Sequence, residues 1–352
     1  MSEANSTQSA NKAARTLKTS GTLRMLNRVG VFLMVGVLVL LGAAVFREKF
    51  LSVANGLTVL RSVTLIAMVA MGVSFITYGG HYVDLSIPNM IALVGFVTVS
   101  TLHWGLGISL ACGLGVGMAV GLVNGYIVGY LRLNPIIWTL AMNFMLAGFI
   151  KLLFAGQAYP DTDPGTSGHL FLQLSEYELP GRIPLATVVL AAMVPVAGWL
   201  MKRTRFGNQI QQTGSAYEVA RLSGVDVRRT VLMTFAVSAL TASMAAIFLA
   251  SGSRSATFEL GSGYDFSAIT AVVLGGVLLS GGTGSGTGVI GGVMVIGLLD
   301  NLVSQVGKRT VFGMDRIIDG GLNNQMVVKG CVFVLVVALT SWFARKGGQS
   351  RG

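Results

Sequence analysis

The chain has 352 residues, of which 53% are hydrophobic and 11% are charged, whereas about 25% of the residues of a soluble domain are charged. This composition, with a mean hydropathy of +0.71, excludes a soluble globular fold and predicts that most of the chain lies in lipid. The 25 basic residues exceed the 14 acidic ones by 11, and the positions of these charges indicate how the chain is oriented in the membrane.

Charge-free runs of about 20 residues predict membrane-spanning helices, and such runs fill the sequence. Two runs are too long for one helix: polar residues around His103 divide the first, and the glycine-rich stretch from Ser280 to Gly288 divides the second. The sequence therefore predicts an all-α polytopic membrane protein with about ten transmembrane helices. In chain order, the predicted spans lie within residues 29–46, 62–83, 85–131 (two spans), 133–150, 183–201, 230–253, 266–305 (two spans) and 330–344.

The basic residues predict the orientation of these helices. With the N-terminus in the cytoplasm, fifteen of the 25 Lys and Arg residues fall in inner segments and seven in outer segments. This bias favours both termini in the cytoplasm and makes the positive net charge an orientation signal, so no nucleic-acid partner is predicted. The predicted organisation is a basic tail at residues 1–28, one transmembrane domain at 29–344 with an inner loop at 202–229, and a cytoplasmic tail at 345–352.

Two glycine-containing segments indicate an internal repeat. Glycine recurs at every fourth position across residues 113–129, which favours close helix packing, with a path lined by bare backbone as the alternative. Gly117–Gly125 resembles Val293–Asn301 at an offset of 176 residues, half the chain. The predicted topology runs the first segment inward and the second outward, so the hypothesis is an inverted repeat of two halves. Asn124 and Asp300 would then be equivalent.

The inner loop contains a candidate for a short helix. Gly214 and Ser215 offer an N-terminal cap, Glu218 and Arg221 stand at positions i and i+3, and Gly224 can end the turn. Taken alone, this pattern is typical of a basic amphipathic linker at the membrane surface.

Three motifs give the chain a family resemblance. They are Glu218-Val-Ala-Arg-Leu-Ser-Gly224, Gly263-Tyr-Asp-Phe-Ser-Ala-Ile-Thr-Ala271, and Val272-Val-Leu-Gly-Gly276 leading to Gly281-Gly-Thr-Gly284. With them, residues from about 50 to 342 resemble the inner-membrane permeases of bacterial ABC importers for ribose, galactose, xylose and related sugars, including autoinducer-type uptake systems. One segment departs from the family: this chain has Gly79-Gly-His-Tyr-Val-Asp-Leu-Ser-Ile-Pro88 where the family usually has Gly-Gly-Ile-Asp-Leu-Ser-Val-Gly.

The resemblance implies a permease subunit in the bacterial inner membrane that imports a sugar or similar polar solute by alternating access. The implied partners are an ABC ATPase subunit, an extracytoplasmic solute-binding protein, a second permease copy in a homodimer or related heterodimer, and membrane lipid. The sequence has no Gly-x-x-x-x-Gly-Lys-Ser/Thr phosphate loop, so ATP and Mg are expected on the partner ATPase and no cofactor on this chain. The implied ATPase-coupling loop contains Ser215, Glu218, Ala220, Arg221 and Gly224.

Polar residues within the spans are candidates for the substrate path. An ionisable group in lipid costs several kcal/mol unless it finds a partner or water, which places Asp84 and Asp300 first. Each has a structural alternative: Asp84 could cap the following helix, and Asp300 could hydrogen-bond a neighbouring helix. The full set of candidates is Asp84, Asn124, Asn134, Tyr264, Asp265 and Asp300.

Two other function classes compete with the permease hypothesis. An ion-coupled secondary transporter would use Asp84 or Asp300 for proton or sodium coupling. A membrane-embedded enzyme would need paired carboxylates or a nucleophile with a base, and no such arrangement, and hence no catalytic residue, is predicted. The three histidines are too scattered for a metal cluster, so no metal site is predicted either.

Overall fold

The computed structural model describes residues 30–80, 83–180, 182–278, 281–282, 284 and 286–306, and the single residues 327, 330, 331 and 334. Helices dominate these ranges, where the strands are a short antiparallel pair, β1 (Glu178–Leu179) and β2 (Ile183–Pro184). The helices are α1 (residues 30–46), α2 (Val53–Tyr78), α3 (Ile87–Ser100), α4 (Leu106–Gly129), α5 (Pro135–Leu153), α6 (Ser167–Glu176), α7 (Leu185–Arg203), α8 (Arg205–Ser215), α9 (Tyr217–Leu222), α10 (Val227–Gly252), α11 (Tyr264–Leu274) and α12 (Gly286–Val306).

The apolar helices confirm an all-α polytopic membrane protein and correct the lengths of two predicted spans. Seven described helices, α1, α2, α4, α5, α7, α10 and α12, are long and apolar enough to cross a membrane. The two remaining described helices that were predicted as spans, α3 and α11, have only 14 and 11 residues and are too short to cross the membrane alone. The tenth predicted span, at residues 330–344, lies largely outside the described residues, and the tails at 1–28 and 345–352 lie wholly outside them.

Helix α2 starts nine residues before the charge-free run at residues 62–83 that predicted this span. The helix begins at Val53, where Ser52 caps it by accepting a hydrogen bond from the Asn55 backbone N–H at 3.2 Å. Arg61 lies inside α2 with a half-exposed side chain that pairs with Glu178 at 2.7 Å. A charge with such a partner at the rim does not end a membrane helix.

The predicted break at His103 is confirmed. A 3-10 turn (Leu102–Trp104) ends α3, and Gly105 adopts a φ of +103°, which glycine reaches without strain. The chain then re-enters the bundle as α4. The outer segment before α7 contains α6, which the sequence reading did not predict; its Phe171 is fully buried, and Ser251 on α10 donates a hydrogen bond to the Phe171 carbonyl at 2.7 Å.

Helices α2 and α10, of 26 residues each, cross at the centre of the fold. They approach closely at Gly72, where a Cβ atom would meet the Thr241 hydroxyl and lie 2.7 Å from the Cα of Ser238. Near one end, Ile76 on α2 packs in one cluster with Val227 on α10. The end of α2 therefore lies beside the start of α10, and the two helices run antiparallel.

Two units of three helices surround this crossing. The unit α10–α12 repeats the unit α2–α4 with offsets of 174 to 180 residues between corresponding helix starts. Each long first helix packs on the other unit: α2 contacts α11 and α12, and α10 contacts α3 and α4. Gly129, at the end of α4, lies against Arg228 at the start of α10, and Gly297, late in α12, lies against Val63, early in α2. Helices α4 and α12 thus run in opposite directions, as predicted for the repeat.

The glycine stripe of α4 faces protein. Its five members, spaced four residues apart, are buried against α3 and α10. A Cβ atom on Gly125 would lie 2.7 Å from the Cα of Leu232, and one on Gly121 would lie 2.9 Å from the carbonyl oxygen of Phe235. The glycine stripe therefore serves helix packing, as the favoured interpretation predicted. The alternative, a path lined by bare backbone, is wrong.

Candidate coupling loop and buried polar clusters

The inner loop at residues 202–229 folds into two helices, where the sequence predicted one. Ser215 is the last residue of α8, and Ala216, in an extended conformation, holds the N-cap position of α9 without a side-chain hydrogen bond. The prediction that Gly214 and Ser215 cap the short helix is therefore wrong. Because Ile210 and Thr213 are buried on one face of α8, the helix continues past them through Gly214.

Helix α9 presents a charged pair and two apolar side chains to the outside. Glu218 and Arg221 pair at 3.6 Å with side chains 70% and 55% exposed, as their spacing predicted. Val219 and Leu222 are 62% and 84% exposed, while Ala220 is buried in a cluster with residues of α10. An exposed ion pair contributes at most about 1 kcal/mol to folding, so this pair has little structural role.

The end of α9 is also as predicted. Gly224 has a φ of +82°, which favours glycine, and the chain turns there towards α10. Asp226 caps α10 by accepting a hydrogen bond from the Arg229 backbone N–H at 3.1 Å. The short helix is thus anchored by buried Ala220 and followed by a turn that leads into the capped start of α10, with its outer face uncovered by the rest of the described chain.

A buried hydrogen-bonded relay connects α5 and α4 to the loop before α3. Trp138 Nε1 donates to Asn124 Oδ1 at 3.0 Å, and Asn124 Nδ2 donates to Ser86 Oγ at 2.8 Å. Ser86 donates both its hydroxyl, at 2.6 Å, and its backbone N–H, at 2.9 Å, to Asp84 Oδ1. All donors point towards the Asp84 carboxyl group, whose other oxygen, Oδ2, is buried and has no hydrogen-bond partner among the described residues.

Asp84 does not cap α3 in the predicted way. The helix begins at Ile87 with Ser86 at the N-cap, so Asp84 bonds the residue just before the first turn. Pro88 occupies the first turn, where the missing N–H of proline removes no helical hydrogen bond. The two residues that lengthen this loop, at positions 81 and 82, lie outside the described residues.

The corresponding position in the second unit carries a charged side chain. Asp300 on α12 lies close enough to Tyr264, the first residue of α11, for its charge to act on the phenol group. Asp265 is buried in the same first turn, and both Asp265 and Asp300 have partners. Asn124 bonds Ser86, the N-cap residue of α3, and Asp300 lies close to Tyr264, the first residue of α11. The two residues therefore take corresponding places in the two units, which agrees with their predicted equivalence. Among the described residues, no three His, Cys, Asp or Glu side chains are grouped to hold a metal ion.

Asn134 does not join either polar cluster. Its Oδ1 accepts hydrogen bonds from the backbone N–H groups of Ile136, at 3.0 Å, and Ile137, at 3.3 Å, and so caps α5. The sequence reading missed Ser86, the link between Asn124 and Asp84. It also missed an amide cluster in which Asn55 on α2 bonds Asn301, at 2.8 Å, and Gln305, at 3.0 Å, on α12.

An antiparallel repeat of broken and continuous apolar helices, with polar groups at the breaks, is typical of multi-pass membrane transport proteins. Comparison with known proteins gives the family. The chain belongs to the family described as branched-chain amino acid transport system / permease component, whose sequence model matches residues 55–337. This match includes both repeat units and the whole inner loop, so the protein is a multi-pass inner-membrane permease subunit of the ABC importer class.

Three curated relatives cover most of the chain. The ribose import permease protein RbsC of Bacillus subtilis (strain 168) is 32% identical over 84% of this chain and 87% of its own length. The L-arabinose transport system permease protein AraH of Escherichia coli (strain K12) is 34% identical over 74% of this chain and 78% of its own. The probable ABC transporter permease protein YphD of Escherichia coli (strain K12) is 31% identical over 86% of both chains. These relatives confirm the resemblance to sugar-uptake ABC permeases.

Proposed function

We propose that this permease moves a sugar into the cytoplasm by alternating access, driven by a partner ATPase that docks on the inner loop. The observation that carries the proposal is the outer face of α9, where a weak ion pair and two apolar side chains stand exposed on a helix anchored to the bundle by Ala220. A surface of apolar side chains rimmed by charge is suited to a protein partner.

The energy source lies in the partner. ATP and Mg bind to the ATPase subunit, and this chain carries no cofactor and hydrolyses no ATP, since it lacks a phosphate loop. Closure of the ATPase moves the loop at residues 202–229, with Ser215, Glu218, Ala220, Arg221 and Gly224 as its coupling residues. Both termini lie in the cytoplasm, on the side of this loop.

The remaining partners follow from the family. A second permease copy, identical or related, completes the transmembrane pathway, and an extracytoplasmic binding protein delivers the solute. Lipid surrounds the exposed apolar faces of α5 and α7, on which Phe144 is 68% and Trp199 59% exposed.

A hydroxyl-rich solute fits the polar groups of the bundle. The relay through Ser86 leaves Asp84 Oδ2 as a buried acceptor with no donor in the part of the chain that the structure describes, and a sugar hydroxyl is a donor of the required kind. We assign Asp84 and Asn124 in the first unit, and Tyr264, Asp265 and Asp300 in the second, to the substrate path. Asn134, which caps α5, takes a structural role. The names of the ribose and L-arabinose relatives support a pentose as the solute.

The test is reconstitution with pentose uptake as the readout. Proteoliposomes containing this chain, its ATPase and its binding protein are expected to accumulate radiolabelled ribose or L-arabinose. This uptake should require ATP on the side of the membrane where the ATPase is bound. Uptake by this chain alone under a proton or sodium gradient would contradict the proposal. That result would support the second candidate, an ion-coupled transporter, for which the unpartnered Asp84 Oδ2 is the specific observation.

Docking has its own test on α9. Glu218→Ala and Arg221→Ala are expected to weaken capture of the ATPase by the detergent-solubilised chain, because they remove the exposed charges of the docking face. Arg182→Ala, an exposed arginine on the β1–β2 turn, is the matched control and should leave capture unchanged. Unchanged capture by both α9 variants and by a deletion of residues 214–225 would remove the docking role from the loop.

A further inference from the structure

Three backbone segments, two turns and the end of α8, meet at a single point at the inner side of the bundle. They are Gly80, just after α2; Gly214, near the end of α8; and Gly281 with Gly282, between α11 and α12. We call these four residues the glycine junction. Gly80 belongs to the first repeat unit, Gly214 to the inner loop, and Gly281 and Gly282 to the second unit, so the junction is where the loop contacts both units.

The contacts at the glycine junction are between backbones. A Cβ atom on Gly80 would lie 3.0 Å from the Cα of Gly214, and one on Gly281 would lie 2.8 Å from the backbone nitrogen of Gly80. A Cβ atom on Gly214 would meet the Tyr78 carbonyl and lie 2.6 Å from the nitrogen of Gly282. Side-chain Cβ atoms do not come within 3.0 Å of backbone atoms in folded proteins, so Gly214 and Gly281 have room only for glycine, and Gly80 is at the limit.

A hydrogen bond joins the two repeat units at the same point. The Gly282 N–H donates to the carbonyl oxygen of Tyr78, the last residue of α2, at 3.1 Å. The ring of Tyr78 lies against Gly284, where a Cβ atom would be 2.6 Å from the phenolic oxygen. The inner end of the first unit is therefore fastened to the turn that begins the last helix of the second unit.

Backbone contact of this kind transmits displacement well. A side chain at an interface can change rotamer and absorb a shift of its neighbour, whereas two backbones in van der Waals contact cannot. A movement of Gly214 must therefore displace Gly80 and Gly282, or separate from them. Three members of the junction, Gly80, Gly281 and Gly282, have φ values of +97°, +81° and +74°, so other residues would strain those turns.

We propose that the glycine junction transmits the movement of the ATPase-docked loop to both repeat units at once. The inference rests on the proposed function, in which the loop receives the ATPase. Because the Gly282 N–H bonds the Tyr78 carbonyl, two residues before Gly80, and both Gly80 and Gly282 lie against Gly214, a displacement of α8 and α9 changes the inner ends of α2 and α12 together. The two units then move in step, which is what alternating access by an inverted repeat requires.

Gly214→Ala is the sharpest probe of the junction. Gly214 lies within α8 and lacks a positive φ, so an alanine there changes volume without straining the helix. The measurement is solute uptake and ATP hydrolysis by the complete reconstituted complex, expressed as solute moved per ATP hydrolysed. We expect this ratio to fall at least about fivefold, the lower range of coupling between distant sites, while ATP hydrolysis continues.

Two further alanine variants serve as controls. Gly125→Ala places a Cβ atom 2.7 Å from the backbone of Leu232, a comparable clash within the α4–α10 contact, and should lower the yield of folded complex without changing the ratio. Gly198→Ala on α7 adds a Cβ with no described atom of another element within 4 Å, and it should resemble the unmodified protein in both respects. If Gly214→Ala does not assemble, Gly284→Ala, whose Cβ would lie 2.6 Å from the phenolic oxygen of Tyr78, disturbs the same link between the two units at a side chain and gives a second measurement of the ratio.

The outcomes separate this inference from the proposed function. ATP-independent uptake by the unmodified complex, or none at all, would contradict the proposed function before any variant is compared. With ATP-dependent uptake established, an unchanged ratio in Gly214→Ala or Gly284→Ala, or an equal fall in Gly125→Ala, would overturn the role of the glycine junction alone.

Discussion

The two repeat units have the same helices in opposite directions but use different chemistry to hold their long helices together. In the first unit, α4 meets α10 through glycines, and Gly121, Gly125 and Gly129 each lie against backbone atoms of α10. In the second unit, α12 meets α2 through one glycine, Gly297, and the Asn55 amide cluster. The α4–α10 contact therefore depends on residues without side chains, and the α12–α2 contact on hydrogen bonds between side chains.

The buried polar positions of the two units differ in a parallel way. Asn124 is neutral and passes hydrogen bonds from Trp138 towards Asp84, whereas Asp300 carries the acid itself and faces Tyr264. Each unit thus has acids near its short helix: the first has Asp84 in the loop before α3, whereas the second has Asp265 in the first turn of α11 and Asp300 on α12. The comparison teaches that the repeat preserves backbone geometry while each unit has its own polar chemistry.

The largest expected effect comes from substituting alanine for Gly121 and Gly297, which occupy equivalent positions in the two units. Gly121→Ala should lower the free energy of unfolding by about 3 kcal/mol, because its Cβ would lie 2.9 Å from the Phe235 carbonyl oxygen, which belongs to the backbone of α10. Gly297→Ala should cost about 1 kcal/mol, because its Cβ meets the side chain of Val63, which can move. SDS titration of both variants in mixed micelles measures the difference, and equal costs would contradict the contrast between the two contacts.

Exchanging the polar residues of the two units should have the next largest effect. Asn124→Asp replaces the amide donor to Ser86 with an acceptor and brings a second acid beside Asp84, so we expect a loss of about 2 kcal/mol in stability. The Trp138 indole loses its neutral partner in the same step, and its fluorescence emission should shift.

The reciprocal variant sharpens this test. Asp300→Asn keeps a side chain of the same shape on α12 and removes one charge, so its stability should stay within about 1 kcal/mol of the unmodified protein. A larger loss from Asp300→Asn than from Asn124→Asp would show that the two positions have the opposite roles to those assigned.

The sequence predicted the features that depend on local composition. Apolar runs identified the membrane segments, the polar residues near His103 and the glycines after α11 located the two breaks, and the offset of 176 residues identified the repeat. The spacing of Glu218 and Arg221 also predicted their ion pair. The apolar runs, the breaks and the ion pair are each encoded within about 20 consecutive residues, and the repeat is visible as a match between two nine-residue segments.

The features that were missed depend on partners far apart in the sequence. Arg61 is tolerated inside α2 because Glu178, 117 residues later, pairs with it. Helix α6 is short and partly polar, and it is positioned by the burial of Phe171 against α10. Ser86 gave no sequence signal, since a serine in an apolar segment usually bonds its own helix, whereas here it bridges Asp84 and Asn124. Long-range contacts of this kind are decided by tertiary packing.

The smallest expected effect concerns the amide cluster of the second unit. Asn301→Ala removes the 2.8 Å hydrogen bond to Asn55 Oδ1, but Gln305 still donates to the same oxygen at 3.0 Å, so no acceptor is left unpaired. We therefore expect a loss of about 1 kcal/mol, in line with interhelical hydrogen bonds measured in membranes. A double-mutant cycle of Asn301→Ala with Asn55→Ala measures the coupling by SDS titration. A coupling energy as large as the cost of Gly121→Ala would mean that hydrogen bonds fasten the second unit as strongly as glycine packing fastens the first.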